Sequence, residues 1–138
     1  MRTALLDTGP LVAYLDASDP AHATTSLGGF AGVLCTTSAV ITEAMHLLSD
    51  DSRGPRRLAE FVQAAGVHVF ETTQPQQLLS AVVLMEKYAD TPMDFADATL
   101  VLLSDEAGTN EIVTLDRRGF MAYRTPKGKA FQIGPSRS

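Results

Sequence analysis

Two aspartates, Asp94 and Asp97, fall in the first turn of what reads as a helix running on from Pro92. Phe95, Ala96, Ala98, Leu100, Val101, Leu102 and Leu103 make that helix apolar on nearly every side. A helix of this kind is buried in the middle of a domain, and residues three apart share a face. Asp94 is accounted for as the N-cap, favoured by the free N–H groups and the helix dipole. Asp97 is not. A buried carboxylate is costly unless something positive or hydrogen-bonding meets it, and the nearby sequence holds no Lys or Arg. A bound divalent cation would resolve the conflict. Carboxylate oxygens suit hard ions such as Mg²⁺ and Mn²⁺. One or two such ions stabilise charge on the attacking and leaving oxygens of a phosphodiester and lower the pKa of a bound water. No side chain then has to become a covalent nucleophile.

The elements around this helix decide whether other acids can share its site. Thr3–Asp7 is an apolar run ending in an acid, followed by Thr8-Gly9 and a helix beginning at Pro10. Asp19-Pro20 starts a second short helix to about Phe30, ended loosely by Gly28, Gly29 and Gly32. Val33–Thr37 is a second strand, and Ser38 caps a helix to about Leu48 with Glu43 in its middle. Pro55 opens a helix that Gly66 stops. Val67–Glu71 is a third strand, and Gln74-Pro75 leads into a helix carrying Leu78, Leu79, Val82, Val83, Met85 and Tyr88. After the central helix, stopped at Gly108, Ile112–Asp116 is a fourth strand ending in an acid. Arg117-Arg118-Gly119 reads as a turn, and Ala130–Ile133 as a short last strand.

Strands alternating with helices predict an α/β fold with a parallel or mostly parallel sheet covered on both faces. Ligands in such sheets bind beyond the carboxyl ends of the strands, at the topological switch point. Asp7 and Asp116 each end a predicted strand, Glu43 lies about one turn into the helix after strand two, and Asp97 opens the helix before strand four. Four acids are thereby sent toward one edge. Thr8 and Thr114 are placed to orient ligands or water through their hydroxyls.

A length of 138 residues fits one domain with a full core, and 45% hydrophobic and 20% charged residues fit a globular protein. No apolar run approaches a membrane span, and Asp7 and Asp16 interrupt any leader-peptide core. Cys35 is the only cysteine, so no internal disulfide forms and a reducing cytoplasm is expected. One Cys and three scattered His argue against a thiolate or Cys/His zinc site. Glu43-x-x-His46 has the spacing of di-iron bundles, but those need two copies and no sheet, so His46 reads as structural. The net charge of −5 is unevenly spread: residues 1–109 hold 14 acids and 5 basic residues, whereas residues 110–138 hold 2 acids and 6 basic residues. A local basic patch can contact phosphate whatever the total charge.

Leu5-Leu6-Asp7-Thr8-Gly9-Pro10, Glu43 within Val40-Ile41-Thr42-Glu43, Phe95-Ala96-Asp97-Ala98, and Val113-Thr114-Leu115-Asp116-Arg117-Arg118-Gly119-Phe120 occur in this order along the whole chain. The pattern resembles the PIN-domain nucleases, and within them the VapC-type toxins of bacterial toxin–antitoxin pairs. The resemblance implies a single PIN-like nuclease domain over residues 1–138, with a central parallel sheet of about five strands. It implies that Asp7, Glu43, Asp97 and Asp116 line an acidic pocket holding Mg²⁺ or Mn²⁺, where RNA phosphodiester bonds are hydrolysed. Asp94 is an additional acid beside the motif, read as the helix cap or as a group that bonds to a ligand, not as a ligand. Arg117 and Arg118, next to Asp116, would position RNA. An antitoxin partner and a homodimer are implied as well.

Three other readings compete. A small metal-dependent phosphatase of the haloacid dehalogenase kind would want a second aspartate two residues after Asp7, where Gly9 stands. A phosphoacceptor receiver would want adjacent acids after strand one, where Leu5-Leu6 precede a single acid. A PIN-like module that binds RNA with weak or no cleavage would be expected to lack some of the four acids, all of which are present. No Walker loop, Rossmann glycine fingerprint or nucleophile elbow occurs.

Overall fold

A computed structural model describes residues 2–25 and 27–134. Five strands, β1 (Thr3–Leu6), β2 (Val33–Thr37), β3 (His68–Phe70), β4 (Glu111–Val113) and β5 (Gln132–Gly134), form one sheet in the order β3-β2-β1-β4-β5. Every pairing is parallel. Six α-helices surround it: α1 (Thr8–Leu15), α2 (Ser38–Leu47), α3 (Gly54–Ala65), α4 (Pro75–Lys87), α5 (Phe95–Ala107) and α6 (Arg117–Ala122). Successive strand side chains point to opposite faces. Ala4, Leu5 and Leu6 in β1 are all fully buried, so both faces of the central strand are covered. The salt bridge from Arg2 to Glu111, 2.9 Å, ties the amino ends of β1 and β4 together.

Several boundaries differ from the sequence reading, each for a local reason. α1 starts at Thr8, not Pro10, because the Asp7 side chain caps it; a proline in the first turn forfeits only an N–H that has no intrahelical acceptor. The cap of α2 is Thr37, whose hydroxyl accepts from Val40 N, and Ser38 is already helical. Of the expected helix over residues 20–30, the described residues form a single 3₁₀ turn, His22–Thr24; two glycines and the lack of an apolar period leave no continuous helix face, and the segment packs through Leu27 and Phe30 instead. β1, β3 and β4 are shorter than their apolar runs, and β5 lies slightly later than expected. Arg117-Arg118-Gly119, read as a turn, instead opens the helix Arg117–Ala122, because the Asp116 side chain accepts from Gly119 N and so starts it. Gly66 and Gly108 end α3 and α5 in the left-handed conformation that suits glycine, with φ of 63° and 68°.

β1 stands between β2 and β4, so the chain runs outward from β1 to one side and then crosses to the other. The switch point therefore lies between the carboxyl ends of β1 and β4. α5 packs on β1 and β2 and brings its amino end to the same edge.

Candidate active site

The register sets the first contacts. Leu6 pairs with Val113, so Asp7 and Thr114 leave the sheet side by side, and Asp7 N donates to the Val113 carbonyl at 3.0 Å. Thr114 Oγ1 donates to Asp7 Oδ2 at 2.7 Å, and Thr8 N donates to Asp7 Oδ1 at 2.8 Å. Both carboxylate oxygens are thus aimed by hydrogen bonds, in a residue only 7% exposed. Burial pushes the Asp7 carboxyl up to about 6; its two hydrogen bonds oppose the shift, and the charges of Asp94 and Glu43 add to it.

At the start of α5, Asp94 and Asp97 cap each other's backbone. Asp97 N donates to Asp94 Oδ1 at 2.8 Å, and Asp94 N donates to Asp97 Oδ2 at 3.2 Å. Asp97 is pushed up to about 8, by burial first, then by the charge of Asp7, then by that of Asp94. Asp94 is therefore the cap, as expected, and also the residue that orients Asp97.

Asp116 N donates to Thr114 Oγ1 at 2.9 Å, and Asp116 Oδ1 accepts from Gly119 N at 3.0 Å. The Thr114 hydroxyl accordingly joins Asp7 to Asp116. Gly119 is required by close approach: a Cβ there would run into Asp116 Oδ2 and come within 3.1 Å of the Tyr123 ring. Tyr123 is fully buried, with its hydroxyl donating to the Pro92 carbonyl at 2.7 Å. Its phenol is pushed up by burial and then by the charges of Asp97, Asp116, Asp94 and Asp7, which places it amid those four acids. Glu43 is half-buried on α2 and shares with Asp94 a cleft of about 440 Å³ between the first turns of α2 and α5.

Asp7, Asp94, Asp97 and Asp116 therefore gather at the switch point, with Glu43 on its flank. Arg117 and Arg118 are exposed in the first turn of α6, a position where the helix dipole disfavours cations. The remaining basic residues are dispersed. Arg124 spends its guanidinium on the carbonyls of Met121, Ala122 and Tyr123 at the end of α6. Lys127 and Lys129 line a cavity of about 290 Å³ with Glu111, at the amino ends of the strands and away from the acids. Arg137 lies outside the described residues. Among the described residues, the basic segment is thus not one patch.

Sequence reasoning missed Tyr123, for which no local pattern signals a role, and took Gly119 for a turn glycine only. It also missed a hydroxyl relay beneath the site. Thr99 donates to the Ala96 carbonyl at 2.6 Å and meets the Thr37 hydroxyl at 2.8 Å, linking the cap of α2 to α5. Thr36 donates to the Leu6 carbonyl at 2.7 Å. All three threonines are fully buried.

The donor set fits a hard divalent cation: it is all oxygen, it is partly buried, and no Lys or Arg forms an ion pair with it among the described residues. The Thr8 hydroxyl, adjacent to Asp7, is buried with no hydrogen-bond partner among the described residues, as expected of a group that serves a water or a bound oxygen. As they stand, no three His, Cys, Asp or Glu among the described residues come close enough to hold an ion. Asp97 and Asp116 each turn an oxygen onto a backbone N–H, and like charges keep carboxylates apart.

The chain matches the PIN domain family model over residues 4–126. Ribonuclease VapC26 of Mycobacterium tuberculosis is 32% identical over 134 residues, covering 95% of this chain and 99% of that protein. The crystal structure of Mycobacterium tuberculosis VapC20, a sarcin–ricin loop cleaving toxin, has the same fold, with a TM-score of 0.67 at 20% identity over 80% of this chain and 87% of that one. With a matching family model over most of its length and a relative of this similarity along its whole length, the chain belongs to the PIN-domain family, among the VapC-type ribonucleases.

Proposed function

We propose that residues 1–138 act as a single nuclease domain, a metal-dependent endoribonuclease that serves as the toxin of a toxin–antitoxin pair. The observation that carries this reading is the pair Asp7 and Asp97. They come from different elements to one switch point, both are burdened by burial, and neither forms an ion pair with a cationic side chain among the described residues. Enzymes of this kind are generally dependent on divalent metal. Here Asp7, Glu43, Asp97 and Asp116 would hold Mg²⁺ or Mn²⁺, which supplies positive charge against the phosphate and acidifies a water.

The protein's own groups do the rest. Thr114 fixes Asp7 and Asp116 relative to each other, and Asp94 fixes Asp97. The free Thr8 hydroxyl orients a water or phosphate oxygen at the floor of the site. Arg117 and Arg118, exposed beside Asp116, hold the RNA backbone. Replacing both with Ala should weaken RNA binding and flatten its salt dependence, because fewer counterions are released; an unchanged affinity and salt slope would remove them from the RNA path.

The remaining partners are an antitoxin that inhibits the enzyme and a second copy of the chain. The cytoplasm, where RNA substrates and the antitoxin are made, is the proposed location. No helix among the described residues is long and apolar enough to cross a membrane.

Purified protein should cleave RNA with Mg²⁺ or Mn²⁺, stop in EDTA, and leave 5′-phosphate ends. Undiminished cleavage in excess EDTA, or 2′,3′-cyclic phosphate products, would overturn the metal mechanism. Binding without cleavage would make the protein an RNA-binding module, and release of phosphate from monoesters alone would make it a phosphatase.

A further inference from the structure

The cleft of about 440 Å³ beside the acids is of a size that takes a small organic group. Its wall from α5 is Phe95 and Ala96, and its wall from α2 is Ser38, Ala39 and Thr42; Thr73 closes it from the loop before α4. Glu43 and Asp94 stand in it as well, and Asp94 is joined to Asp97 by two hydrogen bonds, of 2.8 Å and 3.2 Å, so the cleft adjoins the cluster. No cationic residue lines it. With no Lys, Arg or His in its wall the cleft offers a phosphate no partner of its own, so the part of a polynucleotide that suits it is its uncharged part. Phe95 is half-buried and offers a ring, and single-stranded RNA is commonly read by splaying a base onto an aromatic face and bonding its edge. The hydroxyls of Ser38 and Thr73 form no hydrogen bond to another described residue and can meet such an edge.

We propose that this cleft, lined by Phe95, Ala39 and Thr73, binds one unstacked base of the RNA next to the scissile phosphate, and so sets part of the sequence preference. The inference rests on the ribonuclease reading above and adds a subsite to it. The base lies against Phe95 with its edge toward Thr73 and Ser38, while its phosphate stays outside, at the acids.

The test couples protein and RNA changes. Once the cut is mapped in a short single-stranded RNA, each flanking nucleotide is made abasic in turn. In wild type, one position should lose roughly ten-fold in cleavage, the scale of one base–aromatic contact. Phe95→Leu, which removes the ring, and Ala39→Leu, which fills the cleft, should each lose a similar factor on intact RNA and nothing further at that one abasic position. Thr73→Val, nearly isosteric and on an exposed residue, should alter only which base is preferred there. Thermal melts identify any variant that is poorly folded. A binding arm separates the two readings. RNA carrying 2-aminopurine at that position, titrated in EDTA, should brighten with wild type and not with Ala39→Leu. Position-specific brightening without cleavage would leave the subsite standing and bring down the nuclease reading. Cleavage with strictly additive protein and RNA effects at every position, or with no position-specific brightening, would overturn the subsite. Unchanged RNA preference together with escape from a co-expressed antitoxin would assign the cleft to a protein partner and likewise overturn it.

Discussion

Asp97 shows how a single residue separates function from fold. Its carboxyl is pushed up to about 8 in the folded, metal-free protein, against 3.8 as its ordinary value. Between those values the folded state keeps a proton that the unfolded chain has released. The folded state then binds more protons, so stability falls as pH rises through that window. Asp7 adds a smaller window, from 3.8 to about 6, worth up to about 3 kcal/mol. Wild type in EDTA should therefore melt lower at pH 8 than at pH 5, and Asp97→Asn should show a flatter dependence and melt at or above wild type at pH 8. In millimolar Mn²⁺ the order should reverse, because an ion that binds only the folded state stabilises it by roughly 2.7 kcal/mol at a hundred times its Kd. The variant should gain little from metal and should not cleave RNA. Melts of both proteins across pH, with EDTA and with Mn²⁺, decide the matter: parallel pH curves and equal metal shifts would make Asp97 a cap and nothing more. That Asp97 was conspicuous in the sequence has a plain cause. A lone acid inside an apolar period violates the pattern, and such violations are where function is found.

At the scale of elements, α6 matters most and was least legible. Arg-Arg-Gly has the composition of a turn, and glycine is a poor helix former. What makes it a helix is the Asp116 cap and the burial of Phe120 and Tyr123 against their neighbours, neither of which a local pattern displays. The rings of Tyr88 and Phe131 meet Tyr123 and Phe120 edge-on, with centroids 5.1 Å and 5.4 Å apart. Through the Tyr123 hydroxyl this small helix holds the chain at Pro92, two residues before Asp94. Tyr123→Phe keeps the rings and removes that bond. It should cost about 1 kcal/mol for the lost hydrogen bond and lower kcat more than it raises KM, since α5 loses its fixed distance from Asp116. Melting and steady-state kinetics at 25 °C check this; a lower melting temperature with unchanged kcat would make the bond purely structural. The helices that were legible, α2 through α5, are the ones whose apolar residues are written locally, with a terminating glycine as well in α3 and α5.

For the whole molecule, the alternation of strands and helices was enough to predict the parallel sheet, and the strand-end acids Asp7 and Asp116 do meet at one edge of it, joined through Thr114. The order of strands was not legible, because it depends on which neighbour each strand chooses. The surface poses the remaining question of scale. On α4, Ala81 is fully buried, whereas Leu78, Leu79, Val82 and Val83 are 41–67% exposed. These four residues sit at i, i+1, i+4 and i+5, so they form one continuous stripe along the helix. A stripe of this kind on one helix can meet its own copy across a two-fold axis, each residue facing its equivalent or a near neighbour. Stable interfaces bury roughly 800 Å² per partner, more than one short stripe supplies, so the interface would extend to the edge strand β3, where Val69 is 40% exposed. The homodimer proposed above should accordingly depend on α4. Leu79→Glu with Val83→Glu puts two charges one turn apart in the stripe and touches no buried contact. The double variant should run as a folded monomer in sedimentation at micromolar concentration where wild type runs as a dimer, with its melting temperature losing its dependence on protein concentration. A wild type that is already monomeric there would remove the dimer, and a double variant that stays dimeric would move the interface to another face.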